Sequence, residues 1–235
     1  LDEKTHWFWN IFLILKMFSK NHQAKYLAEL IGTFILIFCG TGSIVFDVNQ
    51  SMGIGILGVA ITTGLTVSAL IYTIGDISGA HLNPMVTIGF SIIGVFPKKE
   101  VIPYIIAQFF GAILASLFLH WLYPNSITLG ETNPVILPVK ALAIEVVLSF
   151  VLMFVILHLA HGSKEQGMFA GIAIGSVVLF EILFAGPVSG ASMNPTRSLA
   201  PALISGKLAN QWIYIASPFI GMFLAIGTWK FFKRS

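Results

Sequence analysis

The stretch Gly186-Pro187-Val188-Ser189-Gly190-Ala191-Ser192-Met193-Asn194-Pro195-Thr196-Arg197-Ser198 decides how the chain is read. It has an echo upstream, Gly75-Asp76-Ile77-Ser78-Gly79-Ala80-His81-Leu82-Asn83-Pro84-Met85-Val86-Thr87. Each copy runs Ser-Gly-Ala, two further residues, then Asn-Pro. Asn is a good N-cap and Pro a good first helical residue, so each pair predicts a helix start. The cap oxygen accepts from the first N–H groups of its own helix, which leaves the side-chain NH₂ directed away as a fixed donor. One Asn-Pro alone is an ordinary turn signal. The duplicated, Gly-flanked form in a very apolar chain predicts two half-helices that meet inside a membrane.

The composition agrees. Of 235 residues, 56% are apolar and 10% charged, against about 45–50% and 25% in an ordinary soluble domain. So few charges cannot cover a water-facing surface, and the chain reads as an integral membrane protein. The net charge of +3 marks no nucleic-acid surface, because the basic residues sit in short segments between apolar runs. The single cysteine, Cys39, excludes an internal disulfide and a cysteine-based metal cluster. Within its apolar run it reads as a small buried hydrophobe. No nucleophile is paired with a base and no metal ligands are gathered at a usable spacing, so neither an enzyme nor a cofactor is expected.

Residues 1–22 mix Trp7, Phe8, Trp9, Phe12 and Leu13 with Lys4, His6, Lys16 and Lys20. That run is too short to span a bilayer and has no small-residue cleavage site, so it predicts an amphipathic helix lying at the interface over 1–23. Six apolar runs follow, at about 26–46, 53–74, 100–122, 139–160, 167–185 and 210–232, each near the length of a crossing helix. Two shorter helices, from Asn83 to about Ile93 and from Asn194 to about Ile204, are too short to cross. Their Pro- and Gly-rich leaders read as re-entrant segments, tolerated only where non-helical backbone is buried in protein or lines a cavity.

If the spans alternate, Lys4, Lys16, Lys20, Lys25, Lys98, Lys99, Lys164, Lys230, Lys233 and Arg234 fall on one side. Only Lys140, Lys207 and Arg197 fall toward the other, which places both termini in the cytoplasm. The repeat extends beyond the Asn-Pro pairs: Ala28-Glu29-Leu30-Ile31-Gly32-Thr33-Phe34 is matched by Ile144-Glu145-Val146-Val147-Leu148-Ser149-Phe150. Each half, residues 24–122 and 139–232, therefore holds three spans with a half-helix between its second and third. Three is odd, so the second half enters from the opposite face. This is an inverted repeat with its site at the midplane. The fold expected is all-α: six transmembrane helices and two re-entrant half-helices in one unit over 24–232.

At that midplane the half-helix dipoles present their positive ends, and Asn83 and Asn194 add one side-chain donor each. The carbonyls of Gly79-Ala80-His81 and Gly190-Ala191-Ser192 form the expected acceptor ladder. A donor–acceptor track with apolar walls opposite suits neutral, hydroxyl-bearing solutes. Arg197, buried in a membrane, is costly and by default functional. Glu29 and Glu145, acids at equivalent places inside spans, read as structural supports that accept from backbone N–H groups of the re-entrant loops and so aim their carbonyls at the pore, with a proton relay as the sharper alternative. Glu181, about 100° around its helix from Ile182, reads as a hydrogen-bonded structural acid. The sharper alternative is that it positions Arg197 or the loop before Gly190. His81 reads as lining the pore through its carbonyl.

The doubled Asn-Pro boxes with Arg197 and the two helix glutamates resemble the aquaporin, or major intrinsic protein, superfamily over essentially all of 24–232. That resemblance implies a homotetramer with one pore per subunit in the cell membrane. It also implies the barrier of aquaporin-type pores, where positive half-helix ends and an arginine repel cations and protons. The usual Asn-Pro-Ala boxes are replaced by Asn83-Pro84-Met85 and Asn194-Pro195-Thr196, changes expected to repack the junction of the half-helices. Aligned on the family motifs, the selectivity filter is Thr63, Ile182, Ala191 and Arg197. Strict water channels have an aromatic and a histidine at the first two positions, so Thr63 and Ile182 imply a wider, half-apolar gap. Glycerol, urea and the uncharged acids of boron and arsenic fit it. Ser198, Ala202, Tyr214 and Ile215 resemble the nodulin-26-like group, and the short loops suit a bacterial relative. The alternatives are a strict water channel and an ion-coupled secondary transporter.

Overall fold

The computed structural model describes residues 20–233. The interfacial helix expected over 1–23 lies outside them, except that residues 20–23 form the start of helix α1, Lys20–Gln50. In chain order there follow α2 (Gly55–Ser78), α3 (Pro84–Ile92), α4 (Val101–Leu122), α5 (Pro138–Ala160), the short α6 (Lys164–Met168), α7 (Ala170–Ser189), α8 (Pro195–Ser205) and α9 (Gln211–Lys233). Six of them, α1, α2, α4, α5, α7 and α9, are long and apolar enough to cross a membrane. Their outward faces carry exposed Leu27, Leu65, Phe110, Val147, Phe184 and Phe223, an arrangement that lipid tolerates and water does not. With 9 and 11 residues, α3 and α8 reach about half the ~30 Å thickness of a bilayer core.

The helices pack as two equivalent halves. Helix α1 lies on α4 and α2, as α5 lies on α9 and α7; α4 holds α8, as α9 holds α3. Exchanging the halves leaves this scheme unchanged, with α2 on α7 and α3 on α8 at the centre. Close crossing depends on glycine at matched places. A Cβ on Gly221 would stand 2.5 Å from the Val146 carbonyl oxygen, and one on Gly111 would collide with that of Leu30. Small residues at such crossings let transmembrane backbones approach.

One boundary departs from expectation. The residues leading to the half-helices are not re-entrant from the start, because Gly75-Asp76-Ile77-Ser78 and Gly186-Pro187-Val188-Ser189 continue α2 and α7. Each helix stops at a left-handed glycine, Gly79 at φ 87° and Gly190 at φ 95°, whose N–H caps the carbonyl four residues back. Glycine takes that conformation without the Cβ penalty, and so the helix ends there rather than at the last strongly apolar residue.

Candidate functional site: a membrane passage

The two half-helices start as their sequence predicts. Asn83 and Asn194 are extended N-caps followed by Pro, and their Oδ1 atoms accept from Met85 N at 2.9 Å and Thr196 N at 3.1 Å. The side-chain NH₂ groups do more than face a lumen. Asn83 Nδ2 donates to the Met193 carbonyl, and Asn194 Nδ2 to the Leu82 carbonyl, both at 2.9 Å. Each cap therefore fixes the opposite loop with one N–H and keeps the other.

Between the left-handed glycines and the caps, the backbone is strained in the same pattern twice. Ala80 and Leu82 have φ of 47° and 53°, Ala191 and Met193 of 41° and 54°. Left-handed conformations in non-glycine residues cost about 1–2 kcal/mol each and persist only where surroundings over-determine them. The buried acids supply that determination. Glu29 accepts from Ser78 Oγ (2.7 Å), His81 N (2.9 Å), Leu82 N (2.8 Å) and Gln108 Nε2 (2.8 Å). Glu145 accepts from Ser189 Oγ (2.7 Å), Ser192 N (3.0 Å) and Met193 N (3.2 Å). With its N–H groups turned to the carboxylate behind, each loop is left with carbonyls free to face the passage. Tyr104 and Tyr214 hold the helix ends through Ser78 O (2.9 Å) and Ser189 O (2.5 Å).

The passage is a cavity of about 370 Å³. Gly79, Ala80, His81 and Asn83 from one loop, and Gly190, Ala191, Ser192 and Asn194 from the other, line it. Thr63, Ile182 and Arg197 do so as well, together with aliphatic side chains such as Val67, Val178 and Ile156. Pro84, Met85, Pro195 and Thr196 do not border it. Met85 is fully buried, and Thr196 bonds its hydroxyl to Asn194 Oδ1 at 2.8 Å, so both sit in the packing under the caps. The His81 ring packs on Phe90, Phe96 and Tyr104, with Nδ1 3.1 Å from Thr87 Oγ1.

Sequence reasoning missed the loop between α4 and α5. Arg197 Nη1 donates to the Gly130 carbonyl at 2.6 Å, and Thr132 Oγ1 donates to Ser198 Oγ at 2.7 Å. Ser198 in turn pairs with Ser192 Oγ. Lys207 Nζ, beyond the C-cap of α8, reaches Glu131 Oε1 at 2.5 Å and the Ile127 carbonyl at 2.6 Å. Burial alone would raise the Glu131 carboxyl. The Lys207 ammonium and the Leu129 N–H outweigh it and hold the group below the ordinary carboxylate range. No periodicity marks this loop, and the only sequence hint was Lys207, a rare cation on its side.

Glu181 corrects an expectation. It is 1% exposed, yet neither carboxylate oxygen has a hydrogen-bond partner among the described residues. It therefore hydrogen-bonds neither to Arg197 nor to the loop before Gly190. Its place on α7, turned from the passage that Ile182 lines, puts it in helix packing without a donor. A buried polar group left unpaired costs about 1–3 kcal/mol. Glu181→Leu is therefore expected to keep or raise the thermal midpoint in detergent and to leave flux unchanged. A lower midpoint or altered flux would show a partner for this acid.

Six crossing helices, two half-helices tip to tip and a passage between them define a membrane channel. The major intrinsic protein family profile matches residues 16–229, and the chain belongs to that family, whose members are channels for water and small neutral solutes and not enzymes. Similar proteins include the aquaporin NIP1-1 of Zea mays, 40% identical over 214 residues, which are 88% of this chain and 73% of that one. Nodulin-26 of Glycine max is 43% identical over 208 residues, 88% and 76% of the two chains. A probable NIP-type aquaporin of Nicotiana alata is 46% identical over 205 residues, 84% and 73%. Among solved structures, the aquaglyceroporin from Plasmodium falciparum superposes with a TM-score of 0.79 at 25% identity, covering 88% of this chain and 94% of that one. The three relatives are plant proteins and lend no support to a bacterial source.

Proposed function

We propose that the chain passes glycerol-sized neutral solutes as well as water, and that it excludes protons and ions. Thr63, Ile182, Ala191 and Arg197 form its selectivity filter, and the paired Asn83 and Asn194 form its central station. The make-up of the filter carries this reading. Thr63 commits its hydroxyl proton to the Val59 carbonyl at 2.8 Å, and Ile182 and Ala191 have no side-chain donor. Arg197 is then the single side-chain donor of the four, facing small and aliphatic groups. A constriction polar on one side fits solutes whose hydroxyl or amino groups can all be turned one way: glycerol, urea and the uncharged acids of boron and arsenic. The names of the relatives, aquaporins and an aquaglyceroporin, agree with it.

The working unit is two inverted repeats, residues 24–122 and 139–232, with both termini in the cytoplasm of a cell membrane, as the lysine distribution supports. The subunits assemble as a homotetramer with one pore each. Stopped-flow light scattering of proteoliposomes under water, glycerol, urea and boric acid gradients tests the substrate range. Thr63→Phe combined with Ile182→His is expected to cut glycerol flux and spare water. An equal fall in both would displace the filter from these residues. Flux linear in the gradient without a co-ion separates a channel from a coupled transporter.

A further inference from the structure

Lys207 is half exposed and is bonded to the loop 127–132, whose Glu131 and Thr132 border the passage. That loop is the one whose Gly130 carbonyl receives Arg197. We propose that Lys207 is a positioning residue for Arg197: by tying Glu131 and Ile127 to the far end of α8, it sets where the Gly130 carbonyl stands, and so how far the guanidinium reaches across the filter. The inference rests on the filter reading given above.

The geometry is a strap over one half-helix. At the N-terminal turn of α8, Thr132 holds Ser198, next to Arg197. At its C-terminal end, one residue past the left-handed Gly206, Lys207 holds the other part of the same loop. Between these anchors Glu131 folds the loop on itself, since its Oε2 accepts from Leu129 N at 2.7 Å and Thr128 Oγ1 at 3.2 Å. Glu131 borders the passage, but its side chain is 2% exposed and both carboxylate oxygens are engaged, by Lys207 on one and by the loop on the other. Gly130 is packed against Thr41 of α1, where a Cβ would lie 2.6 Å from the Thr41 Cβ, which stops the loop from moving inward. Outward movement is opposed by Thr132 at one anchor and by Lys207 at the other. A charge-assisted bond to a carboxylate this enclosed is stronger than a neutral one. Losing it frees the Gly130 carbonyl to retreat and the Arg197 side chain to follow it.

Lys207→Met removes both bonds, and Lys207→Arg restores a cation. In proteoliposomes, Lys207→Met is expected to raise the glycerol-to-water and urea-to-water permeability ratios by about two- to tenfold, the range that one lost hydrogen bond carries in a barrier. Lys207→Arg is expected to return the ratios toward wild type. Glu131→Gln, which keeps the loop's own acceptor but not the charge, is expected to fall between. Water, glycerol and urea fluxes that all drop in proportion would mean that Lys207 only supports the fold, and would overturn the proposal. Unchanged ratios in Lys207→Met, measured beside an Arg197→Ala variant whose ratios do shift, would overturn it while leaving the filter in place. Unchanged ratios in both variants would remove the filter reading itself.

Discussion

Arg197→Ala is expected to let glycerol-sized and larger polyols through faster and to raise proton leak, while water flux changes little. The guanidinium borders the passage and is tied to the Gly130 carbonyl at 2.6 Å. In the filter proposed above, removing it widens the gap on the side that carries the side-chain donor, so the gain is largest for solutes that fill the gap. The charge argument is separate. Each half-helix N-terminus is equivalent to about half a positive charge, so the two tips together weigh about as much as the arginine. The substitution therefore removes about half of the positive charge facing a cation. At an effective dielectric near 20, one charge at about 4 Å is worth ~4 kcal/mol, enough for a rise in leak of two or more orders of magnitude. A pH-sensitive dye inside proteoliposomes measures it. Leak unchanged from wild type would assign the whole barrier to the half-helix tips.

Parts of this site are legible in the sequence alone, for local reasons. Asn-Pro specifies a cap and a first turn from two adjacent residues, and both half-helices begin as read, at Pro84 and Pro195. The acids Glu29 and Glu145 were readable because the repeat places them alike, and an unpaired charge inside a span has few alternatives to a loop full of N–H groups. The ends of α2 and α7 lie further along than the sequence predicts, because the Gly- and Pro-rich leaders read as re-entrant while the actual stops are Gly79 and Gly190. Contacts distant in sequence left no trace. Nothing in Asn83 announces that its NH₂ finds the carbonyl of Met193, and nothing in Gly130 announces that it receives Arg197. Glu181 misled in the other direction, since a buried acid implied a hydrogen-bond partner and has none among the described residues.

Replacing the loop-holding acids should destabilise the protein most. Glu29→Ala leaves the N–H groups of His81 and Leu82, the Ser78 hydroxyl and the Gln108 amide without their acceptor; Glu145→Ala does the same to Ser192 N, Met193 N and Ser189 Oγ. Hydrogen bonds between transmembrane helices average only about 0.6 kcal/mol, because the unfolded chain in a bilayer finds other partners. That discount does not apply here. Two donors at each acid, His81 N and Leu82 N at Glu29 and Ser192 N and Met193 N at Glu145, belong to non-helical backbone, which has no intrahelical acceptor to return to, and each orphaned group costs about 1–3 kcal/mol. A loss of at least ~3 kcal/mol is expected from either change, and a larger one at Glu29, which serves four donors against three. Thermal unfolding in detergent measures the loss, and flux per folded protein measures whether the carbonyls still face the passage. Ala80, Leu82, Ala191 and Met193 have left-handed backbones that relax once the carboxylate is gone, so flux should fall even in the protein that survives purification. Alanine variants with wild-type melting and flux would mean that the crossed Asn83 and Asn194 bonds alone hold the ladder, and that the acids are passengers.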